Sequence, residues 1–302
     1  MNTGTGINVN LLTPFDSCCH HKRRLQFPMR ELLFAIRDGD IDLVVSLIER
    51  GADIKSGNND GWTPLHWACY DGQTAIASLL VERGADIHSR DRDGETALRM
   101  ACFRGHTATA SLLIDRGADI HSRENNGWTA LHRACSNCQT AIASLLIERG
   151  VYINSRDSVG QTALHWACFN GHTAIASLLI EKGADIHSRD DNRQTALHLA
   201  CLNGKKDAAI ILIRKKADIY VTDNQGETPL DLRPEWRAEL TEIYEEVNRA
   251  WLARKSFLFV LIGGGHIGGS GGGPAGEGEQ GAYETLRDDV LRNLRSIIMS
   301  FL

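Results

Sequence analysis

A strict period governs this chain. The strings GWTPLH (from Gly61), GETALR (from Gly94), GWTALH (from Gly127) and GQTALH (from Gly160) begin 33 residues apart, and RQTALH (from Arg193) and GETPLD (from Gly226) keep the step. A second string follows each of the first four: QTAIASLL from Gln73, HTATASLL from His106, QTAIASLL from Gln139 and HTAIASLL from His172. A third closes the copy: RGADIHSR from Arg83 and Arg116, RGVYINSR from Arg149, KGADIHSR from Lys182. No insertion breaks the count. A fixed step of this size specifies a stack of like supersecondary units rather than a globule around one centre.

One copy shows why stacking is needed. Thr63 precedes an apolar segment, where its hydroxyl can cap a helix start, and Pro64 follows at the first helical position, where a missing N–H costs nothing. Leu65, Ala68 and Cys69 lie at helical spacing, and Gly72 supplies the positive φ that ends the turn. Residues 73–81 form a second short helix with Ile76, Leu79 and Leu80 apolar, and an extended loop rich in Asp and Gly runs on to Gly94. Neither helix is long enough to stand alone in water, so each needs its neighbour to cover its apolar side.

With TPLH at the first helix, Gly between helices and GAD after the second, recurring in register, the copy resembles the ankyrin repeat. That resemblance implies an all-α repeat solenoid, each unit a helix-turn-helix with a β-hairpin loop, in about six to seven copies. A degenerate first copy starts near Pro28, five full copies span 61–225, and a last one departs from the pattern after Leu232. A helical stretch over about 234–256 then reads as a cap: Trp236, Leu240, Ile243, Tyr244, Val247 and Trp251 share one face, with Glu239, Glu242, Glu245, Glu246 and Arg249 on the other. The expected organisation is a flexible arm over 1–27, the array with its caps over 28–256, a glycine-rich linker over 257–282 and an amphipathic helix over 283–302. In that last segment Leu286, Val290, Leu291, Leu294, Ile297, Ile298 and Phe301 recur at helical spacing.

The chemistry of catalysis is hard to find here. Cys69, Cys102, Cys135, Cys168 and Cys201 are one period apart, as are His66, His132, His165 and His198. Stacked units stand about 10 Å apart, so such ligands cannot share a zinc ion with contacts of about 2 Å. The thiols read as small buried hydrophobes, and the family resemblance has the histidines bond to the Thr of their own motif and to neighbouring loops. Cys135 and Cys138 form a lone C-x-x-C without a second pair, and the run Cys18, Cys19, His20, His21 is too crowded for one tetrahedral ion. No phosphate loop and no nucleophile–base set occurs. Neither enzyme activity nor a cofactor or metal is expected.

The net charge of −5 argues against a grip on nucleic acid. No apolar run approaches the 18 residues that would span a bilayer, and the start of the chain lacks a continuous signal-like apolar stretch. These features favour a monomer of the cytoplasm or nucleus.

The framework is fixed by packing, so positions that differ between copies are free to be chosen for a ligand. After the first-helix Cys these read Tyr70-Asp71, Phe103-Arg104, Ser136-Asn137, Phe169-Asn170 and Leu202-Asn203; at the loop tip they read Trp62, Glu95, Trp128, Gln161 and Gln194. In the family these positions commonly touch partners. The candidate partner-binding residues are therefore Trp62, Tyr70, Asp71, Glu95, Phe103, Arg104, Trp128, Asn137, Gln161, Phe169, Asn170 and Leu202, with the rings as anchors on a concave face. The competing reading is that these rings only pack between neighbouring copies. The expected function is a non-enzymatic scaffold for a protein partner; the alternative is a target-recruiting adaptor, for example of a ubiquitin ligase, docking a second protein through 283–302. Arg99 in place of the motif His, and Cys138 and Arg193 in place of Gly, mark local departures.

Overall fold

The computed structural model describes residues 27–263, so the arm, most of the linker and the terminal amphipathic segment lie outside the described residues. Six helical hairpins follow one another: α1 (Phe27–Asp38) with α2 (Ile41–Glu49), α3 (Pro64–Tyr70) with α4 (Thr74–Glu82), α5 (Ala97–Arg104) with α6 (Thr107–Asp115), α7 (Ala130–Ser136) with α8 (Thr140–Glu148), α9 (Ala163–Asn170) with α10 (Thr173–Glu181), and α11 (Ala196–Leu202) with α12 (Lys206–Arg214). A 3-10 turn (Pro234–Trp236) then leads into α13 (Arg237–Gly263). Two compact units divide the described chain, one holding 27–167 and 181–184, the other 168–180 and 185–263.

In the first unit the hairpins stack in chain order. First helices pack on first helices, α1 on α3, α3 on α5 and α5 on α7, and second helices pair likewise from α2 to α8. Between them lies a core of repeat-equivalent side chains: Leu65, Ala68, Cys69, Ile76, Leu80 and their counterparts are fully buried. The buried cysteines are free thiols that serve as packing; burial pushes Cys69, Cys102, Cys168 and Cys201 upward, to about 12 for Cys102, so these stay protonated.

The loops are tight turns rather than extended strands; among the described residues the one bridge joins Arg90 and Thr96. Asp91 and Asp157 each accept the backbone N–H four residues on (2.7 and 2.8 Å), holding Glu95 and Gln161 at the tips. Neighbouring tips are knitted by backbone bonds, Arg92 N–H to Asp60 O (2.9 Å), Asn125 to Asp93 (3.1 Å) and Ser158 to Asn126 (3.0 Å).

In the second unit α11 pairs with α12, and α12 carries the start of α13. Leu240 is buried there, Ile243, Tyr244 and Val247 are half-buried, and Trp251 is 41% exposed with Lys216 over its ring, so among the described residues the cover of α13 thins along the helix. The helix also runs to Gly263, through positions the sequence pattern assigns to the linker, because no glycine or proline interrupts 238–262.

Gly72 has φ +71, and a Cβ there would lie 2.5 Å from the His106 ring of the next hairpin. The equivalent Cys138 keeps the same left-handed backbone (φ 59) with a side chain, and Arg193 does so at a loop tip (φ 60). Each substituted residue carries about 1–2 kcal/mol of strain. Cys138→Gly and Arg193→Gly should each raise the free energy of urea unfolding by about 1 kcal/mol; a loss of stability in both would contradict this reading.

Candidate functional site

Four first helices, α3, α7, α9 and α11, open on the same clamp. Thr63 gives both its N–H and its hydroxyl to His66 Nδ1 (3.1 and 2.8 Å). That fixes the tautomer, so Nε2–H points outward and donates to the carbonyl of Glu95 in the next loop (3.1 Å). Thr129 and His132 repeat this onto Gln161 O (3.2 Å), and in the second unit Thr195 and His198 repeat it onto Glu227 O (3.2 Å). The histidines thus act as cross-rung ties and have no atom left for a metal. Burial lowers the pKa of His66, His132 and His198, that of His132 to about 4.

A neutral imidazole in the fold faces a chargeable one in the unfolded chain. As pH falls below about 6.5 the unfolded state takes up protons that the folded state refuses, so stability drops from there towards pH 4. For His132 alone the loss should approach about 3 kcal/mol. NMR titration should show its imidazole protonating near pH 4 and not near 6.5.

The second copy cannot build this clamp, because Arg99 stands where the histidine would be. Thr96 Oγ1 is buried without a hydrogen-bond partner. Arg99, only 1% exposed, instead joins a network: its Nη2 contacts Glu95 (2.8 Å) and Glu124, while Arg133 reaches Glu95 (2.7 Å) and Glu124 (2.9 Å). Two positive and two negative groups cancel, but Arg99 Nε and Nη1 remain without partners. Burial lowers the Arg99 pKa and raises that of Glu124, the expected sign for charges taken out of water. Glu124 and Arg133 escape a motif search. Their signal is comparison between copies, which elsewhere place Asp157 and Trp166 there, the indole Nε1–H bonded to the carboxylate (2.9 Å).

Arg99→Ala should cost about 3–5 kcal/mol by stranding buried carboxylates. Glu95→Trp, Arg99→His, Glu124→Asp and Arg133→Trp together reproduce the junction one period on, where Trp128, His132, Asp157 and Trp166 stand, and that variant should unfold at no lower urea concentration than the parent. A quadruple variant as unstable as Arg99→Ala would refute the account.

The predicted partner-binding residues fall into two clusters in the first unit. Trp62 lies against Trp67 (4.7 Å between ring centres) and Tyr70 (5.3 Å), and the Arg104 guanidinium covers the Tyr70 ring at 4.6 Å. Asp71 is beside them, its carboxyl pKa raised by burial and held back by Arg104. In the second cluster Arg133 lies over Phe103 (5.6 Å) and Trp128 (4.8 Å), and Trp128 meets Trp166 of the next hairpin (4.5 Å). Phe103 stays 37% exposed and Arg104 is exposed. Three positions also serve the stack: Glu95 joins the ion network, the Asn137 side chain donates to Arg133 O (2.9 Å), and the Gln161 backbone carbonyl takes the His132 tie. In the second unit Phe169 and Asn170 are half-buried and Leu202 is 47% exposed.

A family model of ankyrin repeats in three copies matches residues 32–124 and again 117–190, and a model of ankyrin repeats in many copies matches 179–232. The chain belongs to the ankyrin repeat family. The Notch-regulated ankyrin repeat-containing proteins of Xenopus tropicalis and Xenopus laevis are each 34% identical to it over 68 residues, 22% of this chain and 49% of theirs. The chain thus spans about half the length of these curated relatives. Among solved structures, the ankyrin repeat domain of Bcl-3, described as a unique member of the IkappaB protein family, matches with a TM-score of 0.60 at 30% identity, over 67% of this chain and 92% of that one. Ankyrin repeats are protein-interaction modules, and the clusters above lie on the repeat positions that vary. Among the described residues no helix is long and apolar enough to cross a membrane.

Proposed function

We propose that this ankyrin protein is a non-enzymatic scaffold, a monomer of the cytosol or nucleus, that binds a protein partner through its first helices and loop tips. One observation carries the reading. Cys102 is fully buried, yet the next residue, Phe103, is 37% exposed beside an Arg104 spread over Tyr70. Half-open rings with arginines laid on them offer large, preorganised contact area at small entropic cost. Trp62, Tyr70, Asp71, Phe103, Arg104 and Trp128 form this surface in the first unit; Phe169, Asn170 and Leu202 hold the corresponding positions of the second. Glu95, Asn137 and Gln161 support it by holding the tips and helix ends in place.

The test is capture of partners by the full chain, compared with a variant carrying Tyr70→Ala, Phe103→Ala and Phe169→Ala. The variant should unfold at nearly the parental temperature and bind the captured partner at least about tenfold more weakly. An equal loss of stability and binding would show that the rings only hold the stack together. A chain ending at residue 263 should keep the same partner; an adaptor working through 283–302 would lose a second one.

A further inference from the structure

The clamps at His66 and His132 join three groups: a threonine that donates, an imidazole, and a loop carbonyl that accepts. At the third hairpin only the outer two remain. Arg99 sends its side chain away to Glu95 and Glu124. Thr96 Oγ1 is buried and bonds to nothing. Trp128 O stands one period after Glu95 O. It takes the Glu124 N–H (2.9 Å), as Glu95 O takes that of Asp91 (3.0 Å) and still accepts the His66 tie (3.1 Å). Arg99 does not supply the second bond, since its Nε and Nη1 have no acceptor.

A cavity of about 80 Å³ lies at this junction. Buried Thr96, Ala118 and Ser122 form its floor, and exposed His88, Arg90 and Asp119 stand at its rim. Thr96, Asp119 and Ser122 are one period after Thr63, Asp86 and Ser89, the groups that face the His66 ring. The Arg99 side chain, drawn off to the glutamates, is not part of the wall. The volume is several times what one water needs, and the exposed rim lets a solute enter.

Hydrogen bonding selects the occupant. The threonine hydroxyl that donates in the other clamps asks for a ring nitrogen with a lone pair. The loop carbonyl asks for a ring N–H. An uncharged imidazole carries both on one small ring, whereas an imidazolium or a guanidinium has no lone pair to offer.

We propose that this cavity binds an uncharged imidazole ring from outside the chain, free or on a histidine side chain, in the place that His66 and His132 fill in their own copies. Titration of the full chain with imidazole at about pH 8, where the ring is uncharged, tests this by amide NMR. The amides of Thr96, Ala118 and Ser122 should shift together and saturate at roughly millimolar imidazole. Arg99→His puts the chain's own ring in the cavity and should abolish those shifts. Thr96→Val removes a hydroxyl that has no partner, so it should keep the parental unfolding temperature and bind imidazole about fivefold more weakly. Shifts caused also by a blocked tripeptide with a central histidine would assign the site to a partner's side chain; shifts with imidazole alone would assign it to a small solute. Amides that do not respond, or an Arg99→His or Thr96→Val chain that binds as the parent does, would overturn the proposal.

Discussion

None of the helices in the six hairpins exceeds 12 residues, and most have seven to nine. Segments of that length do not hold a helical shape by themselves in water. Everything else follows from how each hairpin borrows its neighbour. Leu, Ile and Ala side chains close the gap between helices, and the threonine–histidine clamp spends its last donor on the carbonyl of the adjoining loop. The tie demands neutral imidazole, so the fold is coupled to proton concentration through groups that have no catalytic part.

The third and fourth hairpins meet the same demand with different chemistry. A guanidinium cannot accept a proton from threonine, so the clamp is gone and Thr96 is left with an idle hydroxyl. Two arginines and two glutamates take its place at the same junction. The arrangement is neutral in sum and expensive in desolvation, because two nitrogens of Arg99, Nε and Nη1, find no acceptor. It also shapes the surface: Arg133, anchored by the carboxylates beneath, is the group that lies over Phe103 and Trp128. The irregular junction and the candidate binding rings are therefore one structure.

Much of the fold was legible in the residues because the period is exact in register. Pro64 and Thr63 mark a helix start, Gly72 marks a stop, and each recurs or is visibly replaced. The left-handed backbone at Cys138 and Arg193 could be foreseen, since position in the repeat dictates it; Lys216, which shares it, was not singled out. The surface was harder. Variation between copies pointed to Tyr70, Phe103 and Arg104 and equally to Glu95 and Asn137, whose side chains also bond within the stack, and to Gln161, whose backbone carbonyl does. Periodicity says which positions are free to vary. It does not say whether the varying side chain reaches solvent or a neighbour, because that depends on partners 29 to 38 residues away. The cap shows a similar limit: helical spacing placed Trp251 on the packed face, yet it stays 41% exposed, with Lys216 over its ring.

The claim beneath all of this is that stability accumulates between adjacent hairpins and not within them. Urea unfolding of a nested series, in which hairpins are removed one at a time from the end nearest α1, measures that directly. The unfolding free energy should fall by a similar amount with each removal, and the isolated segment 61–93 should show no helical circular dichroism. A stability that did not depend on the number of hairpins, or a single hairpin that was helical by itself, would contradict it.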